Sequence, residues 1–361
     1  MSTSPTGQNG QEAARRGPTY RCAVWGTGHM GRTLTRAAVE RGDVQPVAAI
    51  VTDPAKDGRD LGELSGLPPI GAPASLDVDA VLAREDIDVV FFCGIASTRE
   101  VAEGLARIVR AGKEAITFSG LVHPATAIGS DEARELDRIA RSAGHRILGT
   151  GLAPGFLVDV LPVVLASSCV QWESIAVRTV MPMDDWGDLT LDAYGVGKPP
   201  GQHADTGSRI SFLESVGVIC DSLGVDVAES GEHFEPIVSE RRREGRRVVE
   251  PGTSAGVRRR YEATTTDGRS VSVEIVAVYG LDEELDDMRV EFGVKIDGPP
   301  GSGVDAVISG GWVPDPYPAT AAAGLNAIPG LLSLPPGLYH PAQVPFAVRR
   351  PEWPSAKVAR G

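Results

Sequence analysis

Gly26, Gly28 and Gly31 carry the first chemical possibility in this chain. They stand in the run Gly26-Thr27-Gly28-His29-Met30-Gly31, a G-x-G-x-x-G spacing. A short apolar run, residues 20–25, precedes it, and Met30, Leu34, Ala37 and Ala38 then recur at helical spacing through residues 30–41. Between a strand and a helix each glycine has a mechanical role. Gly26 permits a tight turn, Gly28 lets the backbone approach a pyrophosphate, and Gly31 lets helix and strand pack closely. The free N–H groups at the start of the new helix would hold the phosphates. Beyond the next apolar run, Asp53 stands where an acidic residue reads ribose hydroxyls, but Lys56 and Arg59 follow and suit a 2′-phosphate. The balance leans to NADP(H), with NAD(H) as the alternative.

Three further loops are expected to converge on the nicotinamide: residues 94–97, with Gly94, Ile95 and Ala96 as contacts; residues 119–123; and residues 149–155, which include Ala153. His123 is the side chain among them whose ordinary pKa lies near neutrality, so it is a candidate general acid or base, or else a cap on the turn before Pro124. Ser119 stands in the same loop as a second catalytic candidate. His29 reads as a neighbour of the cofactor rather than a catalyst. No HExxH, no GxSxG and no Asp/His cluster at ligand spacing occurs, which argues against metal catalysis and a serine nucleophile.

These loops need a scaffold. Apolar runs at 20–25, 47–51, 87–93, 114–118 and 146–148 read as strands, and 30–41, 75–84, 97–111 and 130–143 as helices. Such alternation predicts an α/β Rossmann domain, its parallel sheet covered on both faces and its ligand at the carboxyl ends of the strands. Past Pro154 the texture changes. A helix is expected at 155–166, a strand at 174–180 and a long Gly/Asp/Pro-rich functional loop at 184–201. Strand-like runs at 258–265, 270–278 and 288–296, with Asp267-Gly268 as a turn, predict an antiparallel or mixed open sheet in a C-terminal α+β domain. The division is then a disordered tail at 1–18, a dinucleotide-binding domain at 19–153 and a substrate and oligomerisation domain at 154–317. A C-terminal helix and tail at 318–361 would pack back near the first domain.

Composition bounds the partners. The chain has 361 residues, 42% of them apolar, enough for packed cores. A formal charge of −13 argues against a nucleic-acid partner. The basic runs 241–243 and 258–260 read as solvated hairpin faces, or as a grip on an anion. The four cysteines match no zinc or CxxC spacing. No run reaches bilayer length and no signal-peptide core opens the chain, so the expectation is a soluble, cytoplasmic protein with no membrane partner.

Four stretches together resemble the dihydrodipicolinate-reductase-like superfamily, in its branch of 2,4-diaminopentanoate dehydrogenase and the native amine dehydrogenases. They are the glycine loop GTGHMG, residues 53–71 (DPAKDGRDLGELSGLPPIG), residues 149–162 (GTGLAPGFLVDVLP) and residues 325–338 (LNAIPGLLSLPPGL). The resemblance implies a Rossmann domain, a C-terminal α/β domain whose open sheet helps form a homo-oligomer such as a dimer, and NAD(P)H-dependent hydride transfer at a carbon–nitrogen bond of a small amine, imine or ketone. Two departures stand out. The family's glutamate before the proline falls on Ser119 or Gly120, and the asparagine of its NPG motif is Ala153. His123, or Asp184, Asp185 or Asp188 of the long loop, would have to replace the carboxylate, or the reaction would differ. The departures favour reduction of a preformed imine. A carbonyl or C=C reductase and a catalytically silent dinucleotide-binding protein are the alternatives.

Overall fold

Strand and helix alternate through the first part of the chain because each apolar run is closed by a cap or a glycine. A computed structural model describes residues 20–94, 96–202, 211–309 and 315–346; the expected tail and Ile95 lie outside them. In chain order, β1 (Tyr20–Trp25), α1 (His29–Arg41), β2 (Val44–Ile50), α2 (Leu61–Leu64), β3 (Ala74–Ser75), α3 (Val78–Leu82), β4 (Val89–Phe92), α4 (Thr98–Arg110), β5 (Glu114–Thr117), α5 (Pro124–Ile128), α6 (Ser130–Ala143) and β6 (Arg146–Gly149) build the first domain. Gly42, at φ +73°, ends α1 in the left-handed conformation that glycine adopts without strain. At the start of α4, Ser97 and Glu100 form a reciprocal capping box.

With β13 (Gly337–Tyr339) from the far end of the chain, the strands make a seven-stranded, wholly parallel sheet in the order β13-β6-β5-β4-β1-β2-β3. Both faces are covered, as a parallel sheet requires. One packs on α4 and α6 through Val101, Leu105, Ile108 and Leu136. The other packs on α1 through Leu34 and Ala38, and on a helix from the far end of the chain. That helix is α10 (Tyr317–Leu332); it buries Leu325, Ile328 and Leu331 here, and β13 (Gly337–Tyr339) then pairs with β6.

Between β6 and α10 run α7 (Val160–Ala166), β7 (Ser174–Pro182), α8 (Asp188–Ala193), α9 (Leu213–Ser222), β8 (Val227–Val238), β9 (Ser254–Thr265), β10 (Ser270–Val278), β11 (Glu291–Asp297) and β12 (Val304–Ile308). Their six-stranded sheet has the order β12-β11-β7-β10-β9-β8. It is mixed rather than antiparallel throughout, because β10 pairs with β7 in parallel. One end of one face packs on α7 and α9 through Ile175, Val273, Val216 and Ile219.

Several local expectations change. The helix expected at 155–166 starts only at Val160, after Gly155 at φ +120° and the Asp159 cap. The basic runs are not simply solvated. Arg243 is 4% exposed and paired with Asp286 at 2.7 Å. In β9 the two-residue alternation sends Arg258 and Arg260 to Glu235 and Glu262 on one face and Arg259 to the other. All four cysteines are free thiols, three of them buried. Among the described residues no helix is long and apolar enough to cross a membrane.

Candidate active site at the seam of two sheets

The carboxyl ends of β1, β4, β5 and β6 face a cleft of about 900 Å³. From the first domain it is lined by Gly28, His29, Met30, Gly94, Ser119, Gly120 and residues 150–154. The opposite wall is one transverse row of the second sheet. Phe234, Arg259, Ile275, Thr179 and Phe292 are successive register partners across β8, β9, β10, β7 and β11, and all five line the cleft. Trp186, Tyr194 and Tyr317 close it from the 184–201 segment and from the start of α10.

The three glycines of the loop are glycine for different reasons. Gly26 has φ +103°, and a Cβ there would meet the Gly94 backbone N at 2.9 Å. A Cβ on Gly31 would lie 1.9 Å from the Gly26 carbonyl oxygen. Gly28 has an ordinary φ of −72°, and a Cβ there would meet nothing within 4 Å. Among the described residues nothing demands glycine at 28; a molecule lying against the loop would. Gly28 also precedes the first turn of α1, which has neither a side-chain cap nor an acidic residue, so its positive end is left for an anion. These residues fit a dinucleotide pyrophosphate.

Of the other expected cofactor contacts, His29, Met30, Gly94 and Ala153 line the cleft. Thr27 is buried within the loop, and Ala96 is half-buried outside the lining. Asp53 lies just beyond β2, where one carboxylate oxygen accepts the Ala55 N–H at 3.0 Å. Lys56 and Arg59 follow, with no ion pair among the described residues. The His29 ring packs edge-on to Tyr317 at 4.2 Å. Burial holds its pKa below the usual imidazole range, with Arg32, Arg36 and Arg246 adding to the effect against Asp315.

Ser119 faces the cleft, its hydroxyl donating to the Gly94 carbonyl at 2.6 Å. His123 does not line it. The residue caps α5, its ring bonds Thr126 at 2.7 Å, and it faces His340 across 6.0 Å. Burial, with His340 nearby, pulls its pKa down to about 4. The ring lies against Gly217 of α9, where a Cβ would stand 2.4 Å from its Nδ1, and beside His340, and these contacts hold it away from the cleft. Of the loop aspartates, Asp188 lines the cleft but pairs with Arg247 at 3.3 Å, while Asp184 accepts the Gly280 N–H.

Sequence reasoning missed the whole opposite wall. Glu232 and Arg259 line the cleft with no ion pair among the described residues, whereas Glu291 is held by Arg178. The Arg259 guanidinium lies 4.9 Å from the centre of the Tyr194 ring and 5.1 Å from that of Phe234. Alternation along 258–260 was the available signal for Arg259. No pattern marked β8, whose residues are mostly exposed on both faces.

The comparisons with known proteins agree with this two-part architecture. The family described as the N-terminus of dihydrodipicolinate reductase matches residues 20–117, and the one described as the 2,4-diaminopentanoate dehydrogenase C-terminal domain matches residues 156–349. A 2,4-diaminopentanoate dehydrogenase of Acetoanaerobium sticklandii is 27% identical over 170 residues, 45% of this chain and 48% of that protein. An amine dehydrogenase of Streptomyces virginiae is 31% identical over 183 residues, 49% of this chain and 50% of that protein. The chain thus spans about half the length of the curated relatives it matches. The solved structure of an amine dehydrogenase from Mycobacterium smegmatis shares the fold, with a TM-score of 0.80 at 20% identity over 93% of this chain and 99% of that one.

Proposed function

The chain belongs to the family of the 2,4-diaminopentanoate dehydrogenase C-terminal domain, and on that premise we propose that it is an NAD(P)H-dependent oxidoreductase acting at a carbon–nitrogen bond. It would work as an amine dehydrogenase or an imine reductase. Gly28 carries the proposal: a glycine that nothing among the described residues requires, open to the cleft beside an uncapped helix start. Residues 26–31 would hold the pyrophosphate, Gly94 and Ala153 would flank the nicotinamide, and Asp53, Lys56 and Arg59 would meet the adenosine ribose. One Asp53 oxygen is already used on Ala55, and two cations follow, which supports NADP(H) over NAD(H).

When bound, the nicotinamide supplies hydride exchange between its C4 and an imine carbon. The chain's part is to bind, orient and exclude water. Ser119 donates its O–H in a hydrogen bond to the Gly94 carbonyl, so its lone pairs remain to accept an N–H of the substrate. Leu157, Met181, Ile275 and Phe292 keep the walls apolar, which limits hydrolysis of an imine. Among the described residues, Glu232 is the lining carboxylate without an ion pair, and it would take a proton from an ammonium. Neither Ser119 nor Gly120 supplies one, which favours reduction of a preformed, protonated imine. A cytoplasmic homodimer remains part of the proposal.

Separate titrations with NADH and NADPH, followed by quenching of tryptophan fluorescence, test the cofactor site. Assays of cyclic imines and of ketone–amine pairs test the chemistry. The expected result is tighter binding of NADPH and oxidation of it by an imine. Binding of neither nucleotide, or turnover confined to carbonyl or C=C substrates, would overturn the proposal.

A further inference from the structure

Two carboxylates are buried behind the cleft without a cation: Glu214 is 2% exposed and Asp159 0%, and neither has an ion pair among the described residues. A buried carboxylate without a cation must be held by hydrogen-bond donors. Here the donors belong to the loops that line the cleft. Glu214 Oε2 accepts the His123 N–H at 3.0 Å, and the Val122 N–H also points to this carboxylate. Asp159 accepts the N–H groups of Gly155 and Val160, each at 2.7 Å, and the Ser215 hydroxyl at 3.0 Å. Glu214 and Ser215 are neighbours in the first turn of α9. One helix turn therefore grips both the 119–123 loop and the 150–159 loop. Glu214 Oε1 lies 3.5 Å from where a Cβ of Gly120 would stand, on the side-chain side of a residue that lines the cleft.

We propose, resting on the oxidoreductase function above, that Glu214 is the positioning residue of this site: its ionised carboxylate holds the backbone of residues 119–123 in the reactive arrangement, and Ser215 with Asp159 locks the 150–159 loop to it. The ionised form accepts on both oxygens. The protonated form carries an O–H that must donate, so it gives up an acceptor position and loosens Ser119 against Gly94.

Burial pushes Glu214 up to about 7, with Asp159 adding to the effect and the two N–H donors opposing it. Asp159 is likewise pushed up by burial, to about 6. The other groups facing α9 do not compete. Burial lowers His123 and His340, the latter bonded to Asp221 at 3.0 Å, and raises Cys220 and the Tyr261 hydroxyl. Both imidazoles are then neutral, and the thiol and phenol protonated, where Glu214 titrates.

The test compares wild type with Glu214→Gln, reading kcat on an imine substrate against pH, the NADPH Kd, and the backbone amide resonances of Val122 and His123. Wild-type kcat should rise about tenfold through a midpoint near 7, with the two amides shifting at the same midpoint. Glu214→Gln should bind NADPH within about threefold of wild type, lose about tenfold or more in kcat at high pH, and lose the transition near 7, keeping at most a lower one from Asp159. A variant that keeps wild-type kcat, or keeps the transition near 7, overturns the proposal. Should the variant not fold, wild type decides alone: a kcat midpoint that departs from the amide midpoint, or a flat profile, sinks it. If wild type turns over no amine or imine, the function itself fails and the positioning role with it. Turnover indifferent to Glu214 removes only the positioning role.

Discussion

At the scale of single residues, one loop contains glycines with opposite reasons for being glycine. Gly28→Ala is expected to leave thermal stability unchanged, because its Cβ meets nothing, and to weaken dinucleotide binding about tenfold or more, because a ligand backbone would meet it. Gly31→Ala should instead destabilise the fold by about 1–3 kcal/mol, since its Cβ falls on the Gly26 carbonyl. Thermal melts and NADPH titrations of the two variants separate these outcomes. Glu214 makes a second prediction, about stability. Its folded pKa lies above the ordinary 4.5, so the proton is held more tightly in the folded state. The stabilisation is full below 4.5 and is lost as pH rises through about 7. His123 acts oppositely: lowered to about 4, it gains stability as pH rises from there to the ordinary 6.5. The windows overlap, so the difference between wild type and Glu214→Gln isolates the carboxylate. In urea unfolding the variant should gain on wild type by on the order of 2–3 kcal/mol between acidic and mildly alkaline pH. No gain would mean that Glu214 is not buried as a proton-holding group.

At the scale of elements, the cleft wall depends on strand register. Phe234, Arg259, Ile275, Thr179 and Phe292 come from five strands and meet only because the register aligns them. A one-residue slip of β9 would exchange Arg259 for Arg258 or Arg260 and send it to the outer face. Gly256 guards that register, because a Cβ there would lie 2.0 Å from the Ala277 carbonyl oxygen. Gly256→Ala should therefore lower the melting temperature, with a cost of about 1–3 kcal/mol, and weaken substrate binding more than NADPH binding. Equal loss of both would point to general unfolding. The run 258–260 did carry a legible sign, since alternation alone separates Arg259 from its neighbours. What 259 would face was not legible, because Tyr194 and Phe234 approach it from segments far along the chain.

At the scale of the whole molecule, the first domain is not finished by its own sequence. Leu325, Ile328 and Leu331 of α10 fill one face of its sheet, and β13 extends it beside β6. A chain ending before Tyr317 should lose cooperative unfolding and expose the 20–150 segment to protease, although that segment contains the whole glycine loop. A cooperative melt of the truncated chain would contradict this. The sequence by itself determined the parallel α/β sheet, the strand–loop–helix at Gly26 to Gly31 and the loops at the strand ends, because those depend on apolar period and local glycine geometry. It also placed Ser119 at the cleft. The sequence also led to the expectation of a C-terminal helix packing back near the first domain; only the tertiary structure turned His123 away, brought Glu214 behind Gly120 and set Glu232 and Arg259 opposite the glycine loop. Each of those is a meeting of segments distant in sequence, fixed by strand register and helix packing rather than by any pattern local to the chain.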